Sequence, residues 1–370
     1  MAAMIESMLG ASAGSIVTVR PDYTVITDGP SNKVTELVKS VASPEKVVVI
    51  FDHDVPTGSP EAAFTWKRIH TFAHTYSCKF VQNVGIGYSW MLSEVVKPGD
   101  IVIGGGRHAS IYGSIGALGL NVTVPELARV IEGGYYSFIV PQTIVVELKG
   151  ELEGSAMDAA MTIMKKLGSS AKGKVIELVG SLNEHDKAVI CGMVCGTGAF
   201  TALWSESKAA DVTVDLSEVV PMVKMPCDDR EAQEQAAILP RSAVRGVNVN
   251  AGQIGGIAGG TIADLRKAAA LMEGRKLAYG FRLSIVPATS KDYLMALNEG
   301  LIEKFIDFNA QIGAVGDRSV TWQGPGVIDK GEKLITTGLY TFDGCMGVKT
   351  SMVYSASVES VMEAATTKAI

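Results

Sequence analysis

An aspartate and a histidine stand side by side at the end of an apolar run. Asp52 and His53 directly follow VVVIF at 47–51, a run that predicts a buried strand. A carboxylate beside an imidazole can fix its tautomer and raise its pKa, which makes the histidine a usable general acid near neutral pH. The alternative is a strand-end cap beside an exposed histidine, and these residues alone leave both interpretations open.

A glycine turn precedes a second histidine after the strand-like run IVIGGG at 101–106. Gly105 and Gly106 are followed by Arg107 and His108. Glycines let the backbone approach a ligand and offer N–H groups to an anion, and a guanidinium can bind a carboxylate through two hydrogen bonds. The pattern predicts substrate contacts here, with an ordinary tight turn as the alternative.

A further glycine-rich turn leads into a helical pattern. The run from Gly255 to Gly260 ends beside Thr261, where a helix is expected to begin. Because the first N–H groups of a helix bind anions, we expect Gly259 and Gly260 to line a binding cavity. Turn geometry alone is the other interpretation.

For two other pairs of possible metal ligands, the surrounding sequence favours a structural role. His70 and His74 have the i, i+4 spacing of a zinc site, but no glutamate stands between them in an HExxH pattern. Cys191 and Cys195 lie in the apolar run CGMVC, which is typical of buried small residues. The five cysteines are too few and too scattered to form a disulfide framework.

The elements that must position these residues alternate between strand-like and helical patterns. This alternation predicts α/β layers with parallel strands. The segment 205–250 is richer in charge and could connect two domains. Strands are predicted at 47–51, 101–106, 143–150 and 283–289, and helices at 61–76, at 156–167 and from Thr261 onward.

Composition narrows the class of protein. The 370 residues are 47% hydrophobic and include 40 glycines, which suits a large α/β enzyme of two or three domains with many tight turns. A formal charge of −6 argues against nucleic acid as a partner. We see no secretory signal and no uncharged apolar run of about 18 residues, so we expect a cytoplasmic protein that does not bind membranes.

Six sequence blocks, in the same order, resemble the large subunit of the aconitase / isopropylmalate dehydratase family. They include FDHDVPTGS, similar to the family's Asp-His-x-x-Pro-Thr segment, and IGGIAGGTIADLRKAA, similar to IGSCTNGR-x-x-DLR-x-AA. The resemblance implies an aconitase-like α/β fold of three domains, with mostly parallel sheets around a central cleft. The expected domains are residues 1–134, 135–245 and 246–370. The blocks cover 51–59, 84–128, 140–152, 215–226, 254–269, and 331–347 with 353–357.

The first departures from the family pattern are at the cysteines that hold its iron–sulfur cluster. The first cluster cysteine falls at Ile257, and the other two fall near Asp317 and Val320. None of the five cysteines present matches these positions. Because thiolates hold such clusters, we expect the cluster to be absent.

Acid–base and substrate-binding residues of the family are replaced as well. Its Gly-Ile-x-His histidine falls at Tyr88, and the aspartate that partners this histidine falls at Gly106. The glutamate that orients a second histidine falls at Gly196, and two carboxylate-binding arginines fall at Tyr340 and Cys345. Neither tyrosine nor cysteine can replace a guanidinium, so a tricarboxylate substrate is not expected.

The residues retained from the family pattern define the predicted site. Asp52 with His53 matches the dyad whose histidine protonates the leaving hydroxyl, and His108 matches the second histidine. Tyr88 joins them as a possible proton donor. The predicted substrate-binding positions are Arg107, Gly105, Gly106, Ile257, Gly259, Gly260, Tyr340 and Cys345.

The resemblance and its departures together predict a lyase or isomerase without a cluster. Such an enzyme would act on a small, already activated carboxylated metabolite by histidine acid–base chemistry. One alternative is a non-catalytic binding or regulatory subunit. Another is a mononuclear metal held by Asp317, Asp52 or the histidines. The family's swivelling domain is not in this sequence, so we also expect a separate small subunit as partner.

Overall fold

Parallel strand pairing dominates the four sheets of the computed structural model, which describes residues 3–206, 210–318 and 323–370. The strands are β1 Ile16–Val19, β2 Tyr23–Thr27, β3 Val47–Phe51, β4 Lys79–Gln82, β5 Ile101–Gly104, β6 Leu118–Asn121, β7 Tyr136–Ile139, β8 Thr143–Lys149, β9 Val175–Val179, β10 Thr201–Ser205, β11 Val212–Asp215, β12 Met222–Lys224, β13 Ile238–Pro240, β14 Ala251–Ile254, β15 Arg282–Ile285, β16 Gln311–Ile312, β17 Lys333–Thr336 and β18 Met352–Ala356. The predicted strands therefore form, with ends that differ by a few residues.

Helices alternate with these strands, as predicted. They are α1 Met4–Leu9, α2 Val34–Leu37, α3 Pro60–Thr75, α4 Gly87–Glu94, α5 Val124–Gly133, α6 Ala156–Leu167, α7 Glu184–Val194, α8 Ile262–Met272, α9 Ser290–Asn298, α10 Leu301–Asp307 and α11 Val358–Thr367. Thr261 is the N-cap of α8, and its hydroxyl accepts a hydrogen bond from the backbone N–H of Asp264. In the described part of the chain, no helix combines the length and the apolar character that crossing a membrane requires.

The first large sheet has the order β4-β3-β2-β5-β6, and all of its strands are parallel. All five residues of β3 are buried, which fits a strand covered on both faces. Because the strands are parallel, their carboxyl ends meet at one edge. Asp28 follows β2, Asp52 and His53 follow β3, and Gly105 follows β5, so the topology brings these segments together.

The second sheet, β10-β9-β8-β11, is also parallel and is covered by α6 and α7. A 3-10 segment, Arg107–Ile115, packs against α7 and β10 and carries His108. Gly113 in this segment lies so close to β10 that a Cβ atom would stand 1.9 Å from the carbonyl oxygen of Ala202. Only glycine permits that approach. Gly119 of β6 admits the carbonyl oxygen of Ala109 in the same way, so the segment that carries His108 packs between the second sheet and the first.

The third sheet has seven strands in the order β13-β12-β18-β17-β14-β15-β16. It is parallel apart from β12, which pairs antiparallel with both β13 and β18. The segment 205–250 therefore holds strands of its own, and β12 and β13 pair with the sheet of residues 251–356. The three-domain division at 134 and 245 stays a prediction.

Candidate active site

Asp28 organises the turn at the end of β3. Its Oδ1 accepts hydrogen bonds from the backbone N–H groups of Asp52 at 2.7 Å and His53 at 2.9 Å, and its Oδ2 accepts one from Asp54 at 2.9 Å. Burial raises the pKa of Asp28 to about 6, while the charge of His53 and the backbone hydrogen bonds oppose that rise. No motif in the sequence pointed to Asp28. An aspartate directly after the buried run of β2 is the signal that could have found it.

His53 is held as an imidazolium. Its Nδ1 lies 2.6 Å from Oδ1 of Asp52, whose Oδ2 accepts a hydrogen bond from the N–H of Gly87 at 2.8 Å. Burial alone would lower the pKa of His53, but the carboxylates of Asp52, Asp317 and Asp28 raise it to about 10. Nε2, 3.9 Å from Oδ2 of Asp317, therefore carries the second proton near neutral pH.

Gly29 makes room for the ring of His53. A Cβ atom at this position would lie 2.3 Å from Nε2 of His53, so any larger residue would displace the imidazole. Gly29, His53 and Asp317 all line the same large cavity. The proton on Nε2 is therefore positioned at the cavity wall.

His108 has the opposite protonation. Its Nδ1 lies 3.1 Å from the carbonyl oxygen of Gly192, which can only accept a hydrogen bond, so the proton sits on Nδ1. Burial lowers the pKa of His108, and the charge of His53 adds to this, against the raising effects of Asp317 and of the Gly192 hydrogen bond. Nε2 of the neutral ring keeps its lone pair and can act as a base.

Tyr340 supports the ring of His108. Its hydroxyl donates to the same Gly192 carbonyl oxygen at 3.1 Å, and the two rings meet edge to face with centroids 4.5 Å apart. The buried ammonium of Lys224 donates at 2.9 Å to the carbonyl oxygens of Leu339 and Thr341, on either side of Tyr340. Burial lowers the pKa of Lys224 to about 8. Lys224 was not among the predicted site residues, although a lysine in the apolar run MVKM is a signal for a buried cation.

Tyr88 fills the space beside Gly106. A Cβ atom on Gly106 would lie 2.2 Å from the hydroxyl oxygen of Tyr88. Burial and the negative charges of Asp52 and Asp317 raise the pKa of Tyr88 far above its ordinary value, so the phenol stays neutral and can donate a hydrogen bond. The two replacements at 88 and 106 are thus one packing change, in which a larger side chain takes the volume of a missing one.

Three of the positions where cluster, orienting or substrate-binding residues were expected, Ile257, Gly196 and Cys345, have apolar surroundings. The side chain of Ile257 packs on Gly192, and the methyl group of Met164 occupies the space beside Gly196. Cys345 is buried in an apolar cluster with Leu334 and other residues, away from the cavity lining. Val320 lies outside the described residues. The expectation that Cys345 and Ile257 contact substrate therefore finds no support in their placement.

Gly259 and Gly260 serve close backbone packing in the structure. A Cβ atom on Gly259 would lie 2.2 Å from Oγ1 of Thr337, and one on Gly260 would lie 2.7 Å from the backbone nitrogen of Ala288. Neither glycine lines the large cavity. Turn geometry, the alternative interpretation from the sequence, matches this placement better than ligand contact does.

The possible metal ligands are already engaged. Within residues 3–206, 210–318 and 323–370, the group of three or more histidine, cysteine or carboxylate side chains close enough to share an ion is Asp28, Asp52 and His53. It contains no cysteine. The carboxylate oxygens accept the hydrogen bonds described above, and Nδ1 of His53 is bonded to Asp52. This group does not fit an iron–sulfur cluster, whose irons are held by thiolates.

One cavity of about 870 Å³ connects the predicted residues. His53, Tyr88, Arg107, His108 and Tyr340 line it, and Asp52 lies directly behind His53. The rest of the wall is mixed, with the apolar side chains of Pro30, Ala62, Val122 and Val124 among many polar groups. It includes Gly105 and Gly106, the cations Lys33, Arg68 and Arg230, the acids Asp28, Asp54, Glu61 and Asp317, and the amides Asn32, Asn121, Gln233 and Gln323.

Comparisons with known proteins agree with the resemblance. A sequence model of the aconitase family (aconitate hydratase) matches residues 28–210. The chain is 28% identical to the 3-isopropylmalate dehydratase large subunit 1 of Methanopyrus kandleri, over 94% of this chain and 91% of the relative. It is 27% identical to the methanogen homoaconitase large subunit of Methanocaldococcus jannaschii, over 93% of this chain and 92% of that relative.

A solved structure confirms the predicted fold. The crystal structure of Thermococcus kodakaraensis aconitase X (holo-form) superposes with a TM-score of 0.61, covering 98% of this chain and 92% of that one. At 13% identity, this similarity concerns the fold alone. The aconitase-like α/β architecture with mostly parallel sheets is therefore confirmed.

The packing of Tyr88 against Gly106 predicts strong energetic coupling between the two positions. Gly106→Asp alone should lower the free energy of unfolding by roughly 2 kcal/mol or more, because its Cβ overlaps the phenol oxygen. Combining it with Tyr88→His removes the overlap, so the double variant should recover about 1–3 kcal/mol relative to the sum of the single effects. Urea unfolding of the four proteins measures this coupling.

Gly154 offers a matched control for this cycle. It is exposed, and the nearest atom to a Cβ placed there is 3.9 Å away. The effects of Gly154→Asp and Tyr88→His on the free energy of unfolding should therefore be additive. Additive effects of Gly106→Asp and Tyr88→His, within about 0.5 kcal/mol, would contradict a shared packing site.

Proposed function

Since this chain belongs to the aconitase family, we propose that it is a hydro-lyase or isomerase whose cavity histidines transfer the protons. The observation that supports this most is their opposite protonation around one cavity. His53 is an imidazolium beside three carboxylates, and His108 is a neutral imidazole on a carbonyl oxygen. Environments that push two pKa values apart mark an acid and a base.

The proposed reaction removes water from a small hydroxy acid. Nε2 of His108 takes a proton from carbon while Nε2–H of His53 protonates the departing hydroxyl, so a C–H and a C–O bond break and a C=C bond forms. The neutral phenol of Tyr88 donates a hydrogen bond to the charge that develops on the substrate. Arg107 binds the substrate carboxylate. The reverse sequence adds water.

We propose that this chemistry runs without an iron–sulfur cluster. The support is the donor set: an isoleucine stands at the expected position of the first cluster cysteine, and the described residues bring no three cysteines together. A mononuclear metal has weaker support, because the oxygens of Asp28 and Asp52 already accept backbone and histidine hydrogen bonds. Without a Lewis acid, the hydroxyl leaves only from a substrate whose C–H bond is already activated, such as a β-hydroxy carbonyl compound.

A non-catalytic binding subunit is the second candidate. The replacement of both expected arginines, by Tyr340 and Cys345, favours it. The fit of Tyr88 into the space at Gly106 favours an active, rebuilt site instead, because unselected loss would not preserve such packing. The variants described below separate the two.

We also propose a small partner subunit over the cavity. The two relatives described above carry the name large subunit, and this chain spans more than nine-tenths of each. The cavity also opens toward exposed charged side chains, among them Lys33 and Arg230. Size-exclusion chromatography with activity assays tests the proposal, and full activity of the isolated chain would contradict it.

His53→Ala should abolish dehydration while sparing carbon deprotonation. We expect turnover to fall about 100-fold or more, because the leaving hydroxyl loses its general acid. Exchange of the substrate C–H for deuterium in D₂O needs only the base, so it should persist in His53→Ala and vanish in His108→Ala. NMR follows both reactions on small β-hydroxy keto acids, in which a ketone activates the C–H bond.

His74→Ala is the matched control for this experiment. His74 lies exposed on α3 and does not line the cavity. Its replacement should leave both reactions unchanged. Dehydration that continues at the wild-type rate in His53→Ala would refute the proposed acid.

The protonation states predict a bell-shaped pH profile with a broad plateau. Activity should rise as pH passes the pKa of His108, which lies below the ordinary histidine value of 6.5, because the base must lose its proton. It should fall as pH passes about 10, where His53 loses the proton it donates. Measurements of kcat/KM from pH 4 to 11 test this, and a fall in activity near pH 7 would argue against an imidazolium acid.

A further inference from the structure

The loop that follows β16 carries a carboxylate from the third sheet to the acid histidine of the first. Gly316 has a φ of +151°, and a Cβ atom there would lie 2.4 Å from the carbonyl oxygen of Asp52. The N–H of Asp317 donates to that same oxygen at 2.8 Å. Because a side chain at 316 would displace this oxygen, glycine fixes Asp317 against the turn that holds His53.

Asp317 stands on the proton-donating side of His53. Its Oδ2 lies 3.9 Å from Nε2 of His53, whereas Asp52 is bonded to Nδ1. The negative charge of Asp317 also acts on Tyr88 and His108. The carboxylate therefore lies among the groups to which the proposed reaction assigns proton transfer and charge stabilisation.

A small molecule in the cavity can reach this position. Nε2 of His53 has no hydrogen-bond partner in the described part of the chain and is not a buried atom, so it is open to the cavity. The side chains of His53 and Asp317 are 11% and 10% exposed, and both line the cavity.

The distance between the two atoms suits one water molecule. At 3.9 Å, Nε2 and Oδ2 are too far apart for a direct hydrogen bond. An oxygen placed about 2.8 Å from each would form both hydrogen bonds at an angle of about 90°, which a water molecule can adopt. One atom of this pair exchanges the reacting proton, and the other is an acceptor only.

We propose that His53 and Asp317 together bind the reacting water, and that Asp317 is a catalytic residue of the proposed hydro-lyase reaction, on which this inference rests. During hydration, Nε2 of neutral His53 takes one proton of the water while Asp317 accepts a hydrogen bond from the other. The water oxygen bonds to one carbon of the C=C, and the imidazolium of His108 protonates the neighbouring carbon. One water is added, and both histidines return to the states that dehydration requires.

The carboxylate acts on the proton that is not transferred. In dehydration, the hydroxyl receives the proton of His53 and leaves as water, whose other hydrogen needs an acceptor. The leaving oxygen becomes more positive as the proton arrives, so a hydrogen bond from it to a carboxylate strengthens at that moment. Asp317 therefore stabilises the departing water, and it orients the same water for attack in the reverse direction.

Two isotope exchanges on one β-hydroxy keto acid test this role. Exchange of C–H for deuterium requires only the base, whereas exchange of the hydroxyl oxygen with H₂¹⁸O requires water to leave and return. Asp317→Leu should slow oxygen exchange about 10–100-fold, as expected for a lost hydrogen bond to a charged group, and leave C–H exchange unchanged. Carbon-13 NMR reads the ¹⁸O shift at the hydroxyl-bearing carbon, and proton NMR reads the C–H.

Asp317→Asn keeps an acceptor oxygen in a similar volume, so it should retain more oxygen exchange than Asp317→Leu. Measurements at pH 7 keep His53 protonated, because Asp52 contributes more than Asp317 to its pKa of about 10. Asp307→Leu is the matched control. Asp307 is exposed at the end of α10 and does not line the cavity, so both exchanges should stay at the wild-type rate.

The water site and the proposed function fail in different ways. The water site is overturned if Asp317→Leu exchanges oxygen at the wild-type rate, if it loses C–H exchange as well, or if Asp317→Asn is as slow as Asp317→Leu. Full oxygen exchange in His53→Ala would instead refute the proposed acid. A wild-type chain that catalyses neither exchange would refute the proposed function, and the water site with it.

Discussion

The carboxylate of Asp28 is the contact on which the rest of the site depends. It holds three consecutive backbone N–H groups after β3 and so fixes where Asp52 and His53 stand. Hydrogen bonds to a buried carboxylate are among the stronger ones in proteins, at about 1.5–3 kcal/mol each. The same charge helps to keep His53 protonated. One side chain at the end of β2 therefore sets both the geometry and the electrostatics of the proposed acid.

The separation of the two histidines in pKa arises from their partners rather than from their burial. Both rings are buried, and burial lowers the pKa of each. For His53, three carboxylates outweigh that effect, whereas at His108 the charge of Asp317 and the hydrogen bond to Gly192 do not. The charge of His53 then lowers the pKa of His108 further. Each histidine thus helps to define the role of the other.

The sequence was sufficient to predict the α/β layers and the candidate site residues that follow strands. The buried run of β3, the glycines after β5 and the capped start of α8 are local signals, and each element forms where it was predicted. Contacts between segments that are distant in the chain could not be predicted from the sequence. Whether Cys345 or Ile257 faces a cavity depends on packing across sheets, which no local pattern encodes.

The missed residues show the same limit. Lys224 and Gln233 lie in the segment 205–250, which we interpreted as a possible connection because it is richer in charge. Its strands β12 and β13 are only three residues long and give little local signal. Their roles come from a hydrogen bond 115 residues away in the case of Lys224 and from cavity lining in the case of Gln233. A buried cation or amide is recognisable only when its surroundings are known.

The seat of Gly113 on β10 has a mechanical consequence. His108 follows β5 of the first sheet, and its segment packs between β6 of that sheet and β10 of the second, with Nδ1 on the carbonyl oxygen of Gly192 in α7. His53 stands at the carboxyl end of β3, where Asp28 and Asp52 fix it. The spacing between the two proton-transfer groups is therefore a property of how the second sheet and α7 dock on the first.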